Sequence, residues 1–214
     1  MTERLSSPLV IVGAGGHGRV VAALAERAGH TVRGFLDRGV EPKAKEVPVL
    51  GGDEYLDSTL ARDITIAMGL GSRSLRERRR ALCDYVDAKG LLAPILIDPD
   101  ASVASSVDIG SGTQVLMGAR VQPGASIGEW CIVNTAAVIE HDCRIHANAH
   151  VAPAAVLCGG VTVGEGTFIG AGSVVKEGVS IGSGVTIGMG AVVIHDVSDG
   201  QTFVGVPARG LNVD

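Results

Sequence analysis

Aromatic residues are scarce in this chain, since Phe, Tyr and Trp together make up 3% of its 214 residues. The four cysteines form no CxxC pair, and no apolar run approaches the roughly 18 residues of a membrane-spanning helix. The N-terminus has no secretory pattern, and the net charge of −5 leaves no broad basic surface for nucleic acid. These absences predict a reduced, cytoplasmic protein without a nucleic-acid or membrane partner.

Glycine is abundant instead, with 31 residues, and it accompanies a strict repeat of six residues from 97 to 198. In each of 17 consecutive hexads the first position is Val, Ile or Leu, and the fifth is Ala, Val, Thr, Ser or Cys. This period predicts a parallel β-helix, in which a hexad supplies one strand and one turn and three hexads complete a coil. We expect the first position to point inward and the glycines of the fourth position to serve the turns. Cys131 and Cys143 occupy the fifth position, where packing explains them better than disulfides.

The residues before the repeat predict a small α/β domain. An apolar run at 8–12 leads into the glycine loop GAGGHG, and a helix is predicted over 19–28. A second strand over 30–36 ends at Asp37, and 63–68 is predicted to be a third buried strand. This order, a strand, a glycine loop, a helix, a second strand and an acid, predicts a Rossmann-like parallel sheet that binds a nucleotide. The alternative is a tight turn between strand and helix that binds no ligand.

The rest of this part of the chain is predicted as a loop over 39–52, a short helix over 53–61 and a longer helix from a cap at Ser72 to about Gly90. The arginines of the longer helix are expected to form a solvated face, with phosphate binding as the alternative. The domain boundary is predicted between residues 93 and 94, so that the domains are 1–93 and 94–214.

Two histidines interrupt the outward-facing third position of the hexads, His141 and His195, and each is followed by Asp. Gly159 is the only glycine at that position, and it follows His141 by 18 residues, which is one coil. We therefore expect the two backbones to stack about 4.8 Å apart. This arrangement suits acyl transfer, because His141 can accept a proton, Asp142 or Glu140 can orient its ring, and the N–H of Gly159 can stabilise an oxyanion.

The alternative for such a histidine is an exposed surface residue beneath a turn glycine. We expect that for His195, because the helix ends before residue 213, one coil further on.

The segment IEHDC, preceded by VNTAAV and followed by HVAPAAVLCGGVTVG, resembles the nucleotide-sugar acyltransferases of the left-handed β-helix superfamily. The subgroup is that of the sialic acid O-acetyltransferases and bacillosamine N-acetyltransferases. The opening IVGAGGHG, the FLD after the second strand, the IAMG of the third and the closing VGVPAR extend the resemblance over nearly the whole chain. It implies a homotrimer that uses acetyl-CoA and no metal, with active sites between neighbouring β-helices.

The resemblance also implies the substrate, a nucleotide-linked 4-amino-4,6-dideoxysugar of O-antigen synthesis, with GDP-perosamine favoured and a UDP-sugar next. Residues matching the nucleotide-sugar contacts of the family are Gly15, Gly16, His17, Asp37, Arg38 and Gly69. Arg38 departs from the pattern, because some members carry there a second acid that reads uracil. This departure favours a base other than uracil.

Carried over by position, the family's general base is His141 and its acidic partner is Asp142. Residues matching the acetyl-CoA contacts are His150, Ala171 and Met189. Ala171 and Met189 are 18 residues apart and therefore share a column on one side of the helix, as an extended CoA requires.

Three other functions compete with this one. A γ-class carbonic anhydrase shares the fold, and His141 and His146 have the spacing of its paired zinc ligands, but Ser105 stands where the third ligand is expected. A non-enzymatic, nucleotide-sensing trimer explains the glycine loop but not His141 beneath Gly159. An O-acetyltransferase acting on a sugar acid stays open, because a histidine base serves an amine and a hydroxyl alike.

Overall fold

The computed structural model describes residues 7–38, 47–58, 63–71 and 73–211 of the chain. The chain divides into two compact units, Met1–Leu96 and Ile97–Asp214. In the described ranges no helix is long and apolar enough to cross a membrane.

The first unit is built on a four-stranded parallel sheet in the order β3–β2–β1–β4. Its strands are β1 (Leu9–Val12), β2 (Val32–Leu36), β3 (Val49–Gly51) and β4 (Thr65–Met68). Every residue of β1 and β4 is buried, which explains why their sequences are continuously apolar or nearly so instead of alternating. Helix α1 (Gly16–Arg27) follows β1, and helix α2 (Arg76–Ala88) follows β4 after a 3₁₀ turn at Arg73–Leu75.

The predicted elements of this unit differ from the observed ones in three places. Residues 49–51, predicted as loop, form the edge strand β3, which is too short to show a period of two. The short helix predicted over 53–61 is a 3₁₀ helix at Asp53–Asp57, and residues 59–62 lie outside the described part. Helix α1 begins at Gly16, inside the glycine loop, and the predicted cap at Ser72 lies outside the described residues.

The second unit is a left-handed parallel β-helix, as the hexads predict. Seventeen strands of two residues run from β5 (Leu96–Ile97) to β21 (Val192–Val193), one for each hexad. Every third strand stacks in the same sheet, which gives the β5 sheet (β5, β8, β11, β14, β17, β20), the β6 sheet (β6, β9, β12, β15, β18, β21) and the β7 sheet (β7, β10, β13, β16, β19). The strands used below are β12 (Val138–Ile139), β13 (Arg144–Ile145), β14 (His150–Val151), β15 (Val156–Leu157), β16 (Thr162–Val163), β18 (Val174–Val175) and β20 (Thr186–Ile187).

The backbone is left-handed at the fourth position of every hexad from 112 to 190. Nine of these residues are glycine, but Trp130, Ala136, Asp142, Asn148 and Ala154 adopt φ between 56° and 60°. An L-residue in this conformation costs about 1–2 kcal/mol. The stacking of the coils therefore imposes the turn even where the sequence does not favour it.

The β-helix ends with a shortened coil. Strand β22 (Thr202–Val204) pairs in parallel with β20, with Thr202 opposite Thr186, so the register is 16 residues here and not 18. The same strand then pairs antiparallel with β23 (Arg209–Gly210). Coil arithmetic from the sequence is therefore wrong beyond the last complete coil.

The core of the β-helix is a narrow stack of first- and fifth-position side chains. Cys131 and Cys143 are fully buried in it, and all four cysteines are free, in agreement with the expected packing role. Burial raises the pKa of the Cys143 thiol to about 11, so it stays protonated at neutral pH.

Glycine at the second position has a different physical reason from glycine at the fourth. A Cβ on Gly164 would lie 2.4 Å from the carbonyl carbon of Gly182 and the nitrogen of Ser183, in the backbone of the next coil. Gly166, at the fourth position, has φ of +64° and nothing within 4 Å of such a Cβ. The first glycine is required for space and the second for conformation.

We expect Gly164→Ala to lower the free energy of unfolding by about 2–3 kcal/mol, because the new methyl group overlaps backbone that cannot move aside. Gly166→Ala should lower it by only about 1 kcal/mol, the cost of a left-handed alanine. Guanidinium denaturation followed by circular dichroism compares the two variants. Equal losses would contradict the assignment of Gly164 to close packing.

Candidate active site

His141 and Asp142 lie at the corner between β12 and β13. Nδ1 of His141 is 2.8 Å from Oδ2 of Asp142. Because an ionised carboxylate only accepts hydrogen bonds, Nδ1 carries the proton and donates it, and Nε2 keeps its lone pair. Of the two acids that the sequence offered, Asp142 is the one in contact with the ring.

The two side chains are 66% and 72% exposed. An ion pair or hydrogen bond this open to water contributes little to stability. Its fixed geometry is therefore available to a ligand, and packing alone does not account for it.

Gly159 lies against the imidazole ring from the next coil. A Cβ on this residue would be 2.5 Å from Nε2 and 2.6 Å from Cε1 of His141. The N–H of Gly160 donates to the carbonyl oxygen of His141 at 2.8 Å, which holds the two corners one strand spacing apart. In the part of the chain that the structure describes, no protein acceptor takes the N–H of Gly159. The stacking expected from the 18-residue interval is present, with Nε2 facing bare backbone.

Gly124 gives similar clearance to the carboxylate on the other side. A Cβ on Gly124 would lie 2.5 Å from Oδ1 of Asp142. The N–H of Asp142 also donates to the carbonyl oxygen of Pro123 at 3.2 Å. Sequence reasoning missed Gly124, although it precedes Asp142 by 18 residues and the same arithmetic finds it.

His195 and Asp196 repeat the sequence of this pair but not its geometry. Oδ1 of Asp196 accepts the N–H of Ser180 at 2.8 Å, and no contact between His195 and Asp196 is found among the described hydrogen bonds. The shortened last coil brings Val197 opposite Ile181 and turns Asp196 toward the backbone. The two histidines thus occupy different environments.

His150 begins β14 on the outer face of the β5 sheet. Its Nε2 is 3.1 Å from Nδ2 of Asn134, which can only donate, so Nε2 accepts. The ring packs edge-on against Phe168 at a centroid distance of 5.0 Å. The imidazole is therefore fixed by two neighbours that the sequence did not reveal.

Ala171 and Met189 stack at the corner that precedes the β6 sheet. The N–H of Gly190 donates to the carbonyl oxygen of Ala171 at 2.9 Å, and Met189 is 82% exposed. His141 and Gly159 lie at the corner that follows this sheet. Successive corners are six residues apart, up to about 20 Å of extended chain. Within one chain, the residues expected to bind acetyl-CoA do not meet His141.

In the first unit, Gly15 and Gly16 open helix α1. A Cβ on either would meet nothing within 4 Å, whereas one on Gly18 would lie 2.0 Å from the carbonyl oxygen of Gly13. A Cβ on Gly69 would be 2.4 Å from that same oxygen. Gly15 and Gly16 therefore leave open space at a helix N-terminus, where free N–H groups favour an anion, and Gly69 allows strand-end backbones to approach.

The remaining predicted contacts lie around this loop. Oδ2 of Asp37 accepts the N–H of Ala14 at 2.8 Å, so the acid closes the glycine loop onto the end of β2. The ring of His17 lies over Gly71, whose Cβ would be 2.6 Å from its Cγ. Nη2 of Arg38 is 3.2 Å from Oε2 of Glu54. These residues gather at the carboxyl ends of adjacent parallel strands, where open α/β sheets bind ligands.

Glu54 was not singled out from the sequence. Hydrogen bonds from its own backbone N–H and from that of Gly52 hold the pKa of its carboxyl below the ordinary value. It therefore stays ionised near neutral pH.

Metal ligands do not gather anywhere in the described ranges: no three His, Cys, Asp or Glu side chains converge.

Comparison with known proteins matches each of the two units to a protein family. Residues 8–80 match the PglD N-terminal domain family, and residues 136–177 and 160–195 match the bacterial transferase hexapeptide (six repeats) family. The acetyltransferase domain of PglB from Neisseria gonorrhoeae FA1090 is 39% identical, with a TM-score of 0.91, over 96% of this chain and 100% of that one.

Two further solved structures are similar along nearly the whole chain. GDP-perosamine N-acetyltransferase from Caulobacter crescentus, solved with CoA and GDP-perosamine, is 35% identical, with a TM-score of 0.90, covering 96% of this chain and 97% of that one. WeeI from Acinetobacter baumannii AYE is 28% identical, with a TM-score of 0.83, covering 95% and 99%. The resemblance drawn from IEHDC and its flanking motifs is confirmed, and the chain belongs to the hexapeptide-repeat acetyltransferases that carry a PglD N-terminal domain.

Proposed function

We propose that this protein transfers the acetyl group of acetyl-CoA to the amino group of a nucleotide-linked 4-amino-4,6-dideoxysugar, with GDP-perosamine favoured over a UDP-sugar. The observation that carries the proposal is the ring of His141, held at Nδ1 by Asp142, with Nε2 facing the backbone of Gly159. The relatives solved with acetyl coenzyme A and with CoA plus GDP-perosamine support the substrate classes.

His141 acts as the general base. As the neutral sugar amine attacks the thioester carbonyl carbon and the C–N bond forms, Nε2 takes the proton that the nitrogen loses. Asp142 keeps the other ring proton on Nδ1 and stabilises the imidazolium that results. When the C–S bond breaks, the imidazolium returns its proton to the departing thiolate, and the protein is restored.

Gly159 stabilises the negative charge that develops on the carbonyl oxygen. Its N–H has no protein acceptor in the described structure, and it lies beside the ring that removes the proton. A donor fixed in advance at such a position contributes several kcal/mol in acyl-transfer enzymes, on the order of 3. A side chain here would displace His141 and separate this N–H from the substrate.

A homotrimer brings the acetyl-CoA residues to this centre. The corner before the β6 sheet carries the expected acetyl-CoA residues His150, Ala171 and Met189, and the corner after it carries His141. Within a single copy of the chain these residues are therefore too far apart to form one site. Rotation about a threefold axis beside the β6 sheets would bring the first corner of one copy to the second corner of the next. Each active site would then use residues of two copies.

The outer surface of the β6 sheet has the composition that such an interface requires. The sixth-position residues of four successive strands in it are Val138, Val156, Val174 and Val192. The same positions in the β7 sheet are Asp108, Ser126, Arg144, Thr162 and Ser180. A continuous apolar stripe on one face of three favours burial against another copy.

The first unit would bind the nucleotide. Gly15 and Gly16 leave the start of α1 open to a phosphate, and His17, Asp37, Arg38 and Gly69 surround the same strand ends.

An O-acetyltransferase with this site would make an ester in place of an amide. Mass spectrometry of the product before and after hydroxylamine treatment separates the two, because hydroxylamine cleaves the ester and leaves the amide.

We expect His141→Asn to lower kcat by about 100-fold or more, the range for a lost general base, and to remove the acidic limb of the kcat–pH profile. Asp142→Asn should do less, because asparagine keeps an acceptor oxygen but loses the charge. Steady-state assays with acetyl-CoA and GDP-perosamine measure both. His195→Asn is the matched control and should keep full activity; a loss equal to that of His141→Asn would contradict the assignment.

Gly124→Ala should lower kcat roughly tenfold by pushing the Asp142 carboxylate off the ring. Gly118→Ala controls for backbone strain, since Gly118 has φ of +71° and a Cβ there would be 3.9 Å from its nearest neighbours. In an Asp142→Ala background the Gly124 substitution should have no further effect on kcat. Additive losses would show that Gly124 acts through some other residue.

Sedimentation velocity should show a trimer at micromolar concentration. Val156→Glu, in the middle of the valine stripe, should convert the protein to monomers and abolish activity. Thr162→Glu places the same charge at the sixth position of the next strand, on the β7 sheet, and should stay trimeric and active. Circular dichroism checks that both variants are folded. A wild-type monomer, or a trimer unaffected by Val156→Glu, would overturn this interface.

A further inference from the structure

The ion pair of Arg38 and Glu54 lies at the carboxyl ends of two neighbouring strands. Asp37 and Arg38 follow β2, and Glu54 belongs to the 3₁₀ helix that follows β3. The N–H of Asp37 donates to the carbonyl oxygen of Gly51 at 2.9 Å, which ties the two strand ends together. The pair therefore adjoins the glycine loop, on the side that β2 and β3 provide.

The absence of a side chain at Gly52 makes room for the pair. A Cβ on Gly52 would lie 2.6 Å from Oε2 of Glu54 and 2.8 Å from Cγ of Arg38. Oε1 of Glu54 accepts the N–H of Gly52 at 2.9 Å, and Oε2 accepts from Nη2 of Arg38 at 3.2 Å. With the N–H of Glu54 itself, three donors hold the carboxylate, whose two oxygens accept about four hydrogen bonds, so acceptor capacity remains for a ligand.

Stability does not explain this arrangement. The side chains are 65% and 68% exposed, and an ion pair so open to water stabilises a fold very little. What the pair does present at the strand ends is the guanidinium donors of Arg38 beside the carboxylate acceptor oxygens of Glu54.

We infer that Arg38 and Glu54 read the base of the nucleotide sugar and select guanine. The Watson–Crick edge of guanine offers an acceptor at O6 and donors at N1 and N2, which complements one donor and two acceptors in a row. The inference rests on the proposed function, since it assigns a base to the nucleotide that the first unit binds.

The other bases fit this row poorly. Uracil offers O4 and N3–H to the first two groups, but its O2 would face a carboxylate oxygen, and two acceptors repel. Adenine has a donor at N6 and an acceptor at N1, the reverse of what the pair requires. A mismatched base displaces water from the Glu54 carboxylate and supplies no donor in its place.

Isothermal titration of the full chain with GDP, UDP and IDP tests the inference. IDP is guanine nucleotide without the 2-amino group, so it keeps O6 and N1–H and loses only the N2 donor. Wild-type protein should bind GDP about tenfold more tightly than IDP, and UDP more weakly still. Glu54→Gln should bring the GDP:IDP affinity ratio close to one.

Asp84→Asn is the matched control, because Asp84 forms another exposed ion pair in the same unit, 4.0 Å from Nε of Arg80. It should leave all three affinities unchanged. If Glu54 served only to hold Gly52, its substitution would weaken GDP and IDP equally and keep their ratio, which would overturn the inference. Wild-type affinity for UDP equal to that for GDP would overturn it as well.

The acetyl-transfer assay separates this failure from failure of the proposed function. Acetylation of GDP- and UDP-linked amino sugars at equal kcat/KM would remove guanine selection and leave the acetyltransferase standing. Binding of none of the three nucleotides would remove both.

Discussion

The stacking of coils at an interval of 18 residues is the constraint on which the second unit depends. Each of the seventeen hexad strands has only two residues, so none is stable without the strands above and below it. That mutual dependence is strong enough to hold Ala136 and Ala154 in the left-handed backbone that isolated alanine avoids. The same interval determines which side chains meet on the outside, because residues one coil apart lie about one strand spacing from each other.

This constraint explains why much of the fold and part of the site could be predicted from the sequence. A period of six with aliphatic first positions specifies strand, turn and inward face, and adding 18 to His141 reaches Gly159 without any knowledge of rotamers. Gly124 could have been found in the same way. The arithmetic fails at His195, because the last coil loses two residues and Asp196 caps Ser180 instead of holding the ring.

Other features leave no periodic signal. Strand β3 is three residues long and lies at the edge of its sheet. Its structure is therefore decided by pairing with β2, and its amino-acid composition does not predict it. The contacts of His150 with Asn134 and Phe168 depend on side-chain direction, which spacing along the chain does not determine. Glu54 likewise reaches Arg38 across 16 positions of sequence, by way of two strand ends that the sequence did not pair.

Both candidate sites depend on glycines, because these positions carry no side chain that would fill the space. Gly159 and Gly124 leave room for the ring and the carboxylate, and Gly52 leaves room for the ion pair. The glycines of the nucleotide loop divide by the same test, since Gly18 and Gly69 bring backbones together whereas Gly15 and Gly16 face open space. A count of glycines cannot separate these roles, because the distinction lies in what a methyl group would touch.

The position of the histidine along the solenoid has a consequence for how the protein loses its structure. A stack in which each coil contacts only its neighbours frays from its ends, where one neighbour is absent, and amide exchange is fastest there. His141 belongs to the third coil, 133–150, and Gly159 to the fourth, 151–168, of a stack that is a little under six coils long. Two coils precede this pair of coils and nearly two follow it. Heating that melts the first coil would therefore leave this corner ordered, whereas melting of the last coil would remove Met189 from the proposed acetyl-CoA site while the corner of His141 is still intact.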